Sequence, residues 1–445
     1  MQKSQDFHKD RQRHREQLMS YLPNDSLVVV PSSLKVHRNW DSHYPFQQDS
    51  NFYYLTGLDA PNAVLILIKK EGVSQSILFF QVADEVERLW EGPSLSLQEA
   101  CGTLLFDQAR HYHELITALP EFINEVDQVY YPLANQSAIG DIVFQAIDKR
   151  RCAVRHSAAH IASLHDIQTL IQEQRVIKSS IELDYMRQAI AISEQAHIAC
   201  MKKTQVGISE YELEALFYQQ CRSRGADHLL AYNSIVGTGK NACVLHYANN
   251  SDRLHEAELL LIDAGCQVAH YASDLTRTYP TNGVFSANQA TLYNHVLKVQ
   301  LEVIDLVKPG ITWRDLQQAT IEKISLALIE MGVLEQSLEK VLEDGLYKRF
   351  YPHLVGHWIG LDVHDPSATN LKTGWRLFEP GMVLTIEPGI YIPDQAPDVD
   401  PRWWGMGVRI EDNVLVTETG CEVLSDKLPK TIEAIEALMA QAFVE

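Results

Sequence analysis

At 445 residues with 46% hydrophobic content, the chain is long enough to bury two cores. Its 38 basic and 58 acidic residues leave a net charge of −20, which weighs against nucleic acid or an anionic membrane as partner, and no apolar run approaches the ~20 residues of a transmembrane helix. Seven cysteines, an odd number with no Cys-x-x-Cys pair, fit reduced thiols in a cytoplasm. Cys101, Cys152, Cys200, Cys221, Cys243, Cys266 and Cys421 are read as ordinary small core residues.

Met1 to Arg15 is polar, rich in Lys, Arg and His, and followed by no apolar core, so it reads as no secretory signal; its basic stretch from Lys9 reads as a solvated helix face. The runs Leu27-Val28-Val29-Val30, Ala63 to Ile68 and Ser76 to Phe80 alternate with helical stretches, which is the order of an α/β domain. Ser179-Ser180-Ile181-Glu182 is a capping box at the head of a long helix reaching roughly residue 203. The boundary therefore falls between residues 165 and 178, giving domains over 1–172 and 173–445.

The second domain repeats itself. Val206-Gly207-Ile208-Ser209 with Leu213 matches Pro309-Gly310-Ile311-Thr312 with Leu316, offset by 103 residues, each Gly stopping one helix and each Ser or Thr capping the next. Each half then supplies acidic strands. Leu259 to Asp263 is an apolar run ending in a carboxylate, and a second strand, Tyr271 to Tyr279, carries Asp274; the two are expected to pair as a hairpin. Later, Met382 to Glu387 ends in Glu387, and a strand from Gly407 to Thr417 carries Arg409 and Glu411 on one face. Between them, His353, His357 and His364 interleave with glycines that allow close backbone approach.

Asp263, Asp274, His357, Glu387 and Glu411 make a set of four carboxylates and one imidazole. Oxygen-rich sites favour Mn²⁺ or Mg²⁺, one nitrogen leaves Zn²⁺, Co²⁺ or Fe²⁺ open, and a buried carboxylate needs a partner, so metal-activated hydrolysis is the expected chemistry. Arg409 either orients a carboxylate or forms a structural ion pair. The Pro393 to Trp404 loop is the expected mobile element at the rim.

Ile262-Asp263-Ala264-Gly265, Ser273 to Thr278, Gly356 to Asp365, Thr385 to Tyr391 and Val408 to Asp412 resemble the signature blocks of the pita-bread metallopeptidases. Within that group, Asp41 to Phe46, Asn51 to Gly57 and Asn233 to Gly239 with His246-Tyr247 resemble the Xaa-Pro aminopeptidase (aminopeptidase P) family. The resemblance implies an N-terminal α/β domain followed by a pseudo-symmetric pita-bread α/β domain, holding two Mn²⁺ or in their place Co²⁺. It implies Asp263 on one ion, Asp274 and Glu411 bridging both, and His357 with Glu387 completing the second site, with a bridging hydroxide as nucleophile. Glu387 would act as general base, His364 and His246 would polarise the scissile carbonyl, and His353 would lie against the prolyl subsite. Peptides beginning Xaa-Pro are the implied substrates and a homotetramer the implied assembly. Trp90 is similar to a family tryptophan near the substrate entrance, against a plain packing role, and Leu354 departs from the pattern beside His353. The alternatives are an Xaa-Pro dipeptidase (prolidase) and a metal-free binding module, the latter disfavoured because every ligand is present.

Overall fold

The computed structural model describes residues 5–134, 138–152 and 163–441. The chain divides into two compact units, Met1–Arg175 and Val176–Glu445.

The first unit is built on a six-stranded mixed sheet whose spatial order is Gln108–His111, Val73–Phe80, Ala63–Lys70, Ser26–Pro31, Gln128–Tyr131 and Ser163–Asp166. Its central strand Ser26–Pro31 is buried along its whole length, runs antiparallel to Ala63–Lys70 and parallel to Gln128–Tyr131. Burial on both faces is what an unbroken run such as Leu27-Val28-Val29-Val30 demands.

The basic N-terminal stretch is solvated only at Lys9 and Arg13, which corrects the expectation. In the helix Gln5–Tyr21, Asp10, Arg11, His14 and Arg15 are buried. Arg11 donates to the carbonyl of Tyr54 at 3.2 Å, and Arg15 donates to Leu55 at 2.8 Å and Leu105 at 2.6 Å. Tyr54 and Leu55 sit in the last turn of the helix Ser50–Thr56, whose carbonyls have no partner within the helix, so buried guanidiniums satisfy them. His14 stacks on Tyr54 at 3.9 Å, and burial lowers its pKa to about 3, keeping it neutral. Trp90 lies on the helix Glu85–Glu91 and is 81% exposed, so it does not serve as core packing.

In the second unit the helix Ser180–Lys203 starts at the Ser179/Glu182 capping box. Glu210–Ser223 and Trp313–Glu330 start behind Ser209 and Thr312. The glycines do not stop the preceding helices as expected: those end at Lys203 and Ile304, and Gly207 and Gly310 lie beyond, at φ +95° and +87°, where only glycine turns freely.

Leu259–Asp263 keeps its expected bounds, while the other acidic strands are shorter than their sequence runs. Leu259–Asp263 pairs antiparallel with Thr276–Pro280 and with Ile235–Thr238. The expected Tyr271 to Tyr279 strand breaks at residues 273–275, because a two-stranded excursion, Gln267–Val268 against Tyr271–Ala272, precedes it. Gly265 permits the return: a Cβ there would meet the Ser273 carbonyl oxygen at 1.8 Å. The expected Gly407 to Thr417 strand also breaks. Met406–Arg409 pairs with Gly389–Ile392, Asp412–Val416 pairs with Val383–Ile386, and Ile410-Glu411 spans the change of partner. A bridge between Thr276 and Glu411, with Thr278 Oγ1 donating to the Arg409 carbonyl at 2.9 Å, joins the two halves.

The cysteines are not uniformly core residues. Cys200, Cys221 and Cys266 are buried, Cys101, Cys243 and Cys421 are partly buried, and Cys152 at the end of the helix Ala138–Cys152 is exposed; all seven are free.

Candidate metal centre

Asp263, Asp274, His357, Glu387, Glu411, His246, His353, His364 and Arg409 all line one cavity of about 600 Å³ in the second unit. Asp263 closes one strand, Glu387 follows the end of Val383–Ile386, and Asp274 and Glu411 occupy the two breaks. The breaks have a physical function. A carboxylate at a strand end or break lies where the ladder no longer takes up its backbone, so side chains from the two halves can converge on one point.

At Asp274 the ladder is replaced by one side chain. The Asp274 N–H donates to Asn413 Oδ1 at 3.1 Å, and Asn413 Nδ2 donates to the Asp274 carbonyl at 2.8 Å. Glu411 is tied by the Thr276 hydroxyl, which donates to Oε2 at 2.7 Å. Asp263 accepts from Tyr232 Oη on one oxygen at 2.6 Å and from Arg409 on the other at 2.5 Å. His357 is set by its backbone and its ring together. Its N–H donates to Thr385 Oγ1 at 3.0 Å, and Nδ1 donates to the Trp358 carbonyl at 3.0 Å, so Nε2 faces Asp274 and Glu387, each 3.4 Å away. Gly356 makes this approach possible, since a Cβ there would meet the Thr385 carbonyl at 2.0 Å.

Ligand atoms of Asp274, His357 and Glu411 lie within 4.8 Å of one another. Protein groups alone leave this floor short of positive charge. Burial, then Asp274, Glu387 and Asp263, push Glu411 well above the usual carboxylate range. Burial likewise raises Glu387 to about 7, with Asp274 and Asp263 repelling it and His357 and Arg409 only partly compensating. Burial would lower His357, but its hydrogen bond to Asp274 and the charges of Glu387 and Asp274 raise it to about 9. The proton on Nε2 therefore occupies the place of a cation. A buried set of four carboxylates against one guanidinium and one imidazole, with the imidazole nitrogen aimed inward, fits divalent metal.

The walls differ from the floor. His353 Nδ1 donates to the Leu354 carbonyl at 2.7 Å, so its Nε2 accepts from Tyr391 Oη at 2.8 Å, which in turn accepts from Arg409 Nη1 at 2.9 Å. Arg409 Nη2 ends the chain on Asp263. Burial, with Arg409 nearby, lowers His353 to about 4, so the ring is neutral and both nitrogens are engaged. Arg409 thus both pairs with Asp263 and organises this wall. His364 is exposed to the cavity and meets His357 edge-to-face at 4.3 Å. His246 is also exposed there. The residues that sequence reasoning left without a role are Tyr232, Thr276, Tyr391 and Asn413. Tyr391 and Thr276 fall inside quoted blocks, yet Thr276 bonds across the halves of the unit to Glu411 and Tyr391 bonds to His353 and Arg409, 38 and 18 residues away, so neither leaves a local pattern.

Residues 184–418 match the model of metallopeptidase family M24, and residues 11–130 match that of the aminopeptidase P N-terminal domain. The chain is 38% identical to a Xaa-Pro aminopeptidase of Haemophilus influenzae over 428 residues, 96% of each chain. It is 35% identical to the Xaa-Pro aminopeptidase of Escherichia coli over 432 residues, 97% of each. The aminopeptidase PepP of Pseudomonas aeruginosa superposes with a TM-score of 0.94 at 38% identity, covering 97% of this chain and 98% of that one. Zinc-substituted E. coli aminopeptidase P in complex with product gives a TM-score of 0.94 at 35% identity, covering 98% and 99%. With both halves of its length matched and its acidic cavity in the M24 portion, the chain belongs to metallopeptidase family M24, in the aminopeptidase P branch.

Proposed function

We propose that the protein is a metal-dependent Xaa-Pro aminopeptidase, releasing the first residue of peptides whose second residue is proline. The observation that carries this reading is the meeting of five ligand-type residues and three histidines on one cavity, in a chain alike to Xaa-Pro aminopeptidases over nearly its full length. Asp263, Asp274, His357, Glu387 and Glu411 would hold two cations, with Asp274 and Glu411 shared between them. Mn²⁺ is the proposed pair and Co²⁺ the substitute, because oxygen donors outnumber nitrogen four to one. When bound, the cations supply an acidified water and a Lewis acid for the scissile carbonyl.

The side chains supply the rest. Glu387 takes a proton from the attacking water and delivers it to the prolyl nitrogen. His364 and His246 donate to the carbonyl oxygen as it becomes an oxyanion. His353 bounds the proline position. Its nitrogens are already spent on Leu354 and Tyr391, so it offers a ring face and no hydrogen-bond partner, which suits a ring that lacks an N–H. The substrate's free α-ammonium is drawn towards the acidic floor, which accounts for exopeptidase action. A homotetramer and a cytoplasmic setting complete the reading. The first is supported by the exposed Trp40, Leu89 and Trp90 of the first unit, and the second by seven free thiols.

The test is hydrolysis of matched Xaa-Pro, Xaa-Pro-Yaa, N-acetyl-Xaa-Pro-Yaa and Xaa-Ala-Yaa peptides by chelated protein resupplied with Mn²⁺, Co²⁺ or Zn²⁺. Tripeptides should be cleaved with kcat/KM at least equal to that of the dipeptide. Acetylation should abolish cleavage, Ala should be a poor replacement for Pro, and Mn²⁺ should restore most activity. Cleavage of dipeptides alone would install the prolidase reading instead.

A further inference from the structure

The cavity wall poses a question of placement. His364 is exposed, and among the described residues its one ring-to-ring contact is with His357. The next residue is different. The Asp365 carboxylate and the Lys178 ammonium are each 1% exposed and form an ion pair at 3.0 Å. Asp365 N–H donates to the Trp358 carbonyl at 2.9 Å, which closes the segment running from His357 to His364 into a loop. Gly360 makes room beneath it, since a Cβ there would meet Asp365 Oδ2 at 2.5 Å and Lys178 Cε at 3.0 Å. At its other end Lys178 is fixed in the second unit. Its N–H donates to the Gly381 carbonyl at 2.9 Å, and Ile177 bridges to Met382, immediately before the strand Val383–Ile386 that leads to Glu387.

We infer that Lys178 and Asp365 are positioning residues for His364, coupling its loop to the strand that presents Glu387. This rests on the reading of His364 as an oxyanion donor. A contribution to stability alone does not account for the pair: the desolvation of two charges offsets most of their attraction, and well-packed apolar residues in their place are often neutral or stabilising. What the pair provides and an apolar contact does not is direction, because only one placement of the loop brings the Asp365 carboxylate onto the ammonium. One residue away, that placement sets where His364 projects. A histidine that must meet a developing oxyanion loses its effect on a displacement of about 1 Å, which is enough to cost on the order of 10²-fold in rate.

The test is a mutant cycle on the Mn²⁺-loaded full chain with an Xaa-Pro-Yaa peptide. It compares Lys178→Met/Asp365→Leu, His364→Ala and the triple variant, with metal content and thermal melting recorded for each. The pair variant should lose kcat by about 10²-fold with KM little changed and the metal retained. In the His364→Ala background the same pair change should cost no more than about twofold. Asp365→Asn, which keeps the shape and removes the charge, gives a second passage through the cycle should the apolar pair fold poorly. Wild-type kcat in the pair variant and in Asp365→Asn overturns the inference. So does an equal loss with and without His364, which would leave the proposed activity standing. Full activity in His364→Ala itself removes the role of His364 and the inference with it.

Discussion

Glu411 and Asp412 are consecutive and almost completely buried, at 1% and 0% exposure, yet they are treated in opposite ways. Asp412 receives Arg277 at 2.7 Å, Lys430 and Gln300 at 2.6 Å each, and the Ser425 hydroxyl at 2.7 Å. Burial alone would raise its pKa, but Arg277 and Lys430 hold it well below the usual carboxylate range. Glu411 has the Thr276 hydroxyl and three carboxylates for company, and is pushed well above it. Neighbours in extended backbone point to opposite sides, so a single step of the chain crosses from a neutralised interior to an acidic cavity. The fold can supply cations to a buried carboxylate, and on one side of this segment it does. On the other side the deficit of positive charge is what suits the cavity to a metal.

The largest effects should therefore cross. Glu411→Ala is expected to lower kcat/KM by at least about 10³-fold with loss of bound metal, several kcal/mol of transition-state stabilisation being at stake. The stripped protein should lose no stability by that change, since folding no longer has to bury and protonate a carboxyl group held among three others. Asp412→Ala should instead cost about 3–5 kcal/mol in denaturant unfolding, because Arg277 and Lys430 are left unpaired inside. Metal analysis with urea titration of the stripped proteins measures both. Equal destabilisation by the two substitutions would break the comparison.

Acid titration of the stripped protein sharpens the same contrast. Asp412 has a depressed folded pKa, so its stabilisation is complete above the unfolded value of about 3.9 and is lost as pH falls towards the folded one. Glu411 has a raised folded pKa, so its contribution is present below the unfolded value of about 4.3 and is lost as pH rises through the folded one. Asp412→Asn should accordingly be less stable than wild type at neutral pH and converge with it at strongly acid pH. Glu411→Gln should be the more stable at neutral pH and converge below about pH 4. Stability curves by urea unfolding across pH 3 to 8 would show opposite signs; the same sign for both variants would refute the assignment of the acidic floor.

The element types and the chemistry class were legible because they are local. An apolar run ending in an acid, as in Leu259–Asp263 and in Met382 to Glu387, states both a strand and the end at which its carboxylate emerges. The Ser179/Glu182 capping box placed a helix start for the same reason. What escaped was set by groups distant in sequence. The break at Asp274 exists because Asn413, 139 residues on, takes over its backbone hydrogen bonds. Arg11 and Arg15 look like a solvated face until the open carbonyls of Tyr54 and Leu55 are placed against them. The chain from Asp263 through Arg409 and Tyr391 to His353 joins four residues whose spacing carries no period.

The smallest of the expected effects lies at Asn413, which belongs to both sides of the contrast. It follows Asp412 on the strand, and its amide holds the backbone of Asp274 on the acidic side through two hydrogen bonds. Asn413→Ala removes no ligand and leaves the charge of the floor unchanged, so any consequence must come from the placement of Asp274. Groups that orient a metal ligand without touching the metal typically contribute about 10–100-fold in affinity. Titration of stripped Asn413→Ala with Mn²⁺ should show weakening within that span, and kcat at saturating metal should stay within a few-fold of wild type. A fall of kcat as deep as that of Glu411→Ala would mean that Asp274 is not merely displaced but lost. An unchanged affinity would mean that the strand break holds Asp274 without its amide clasp.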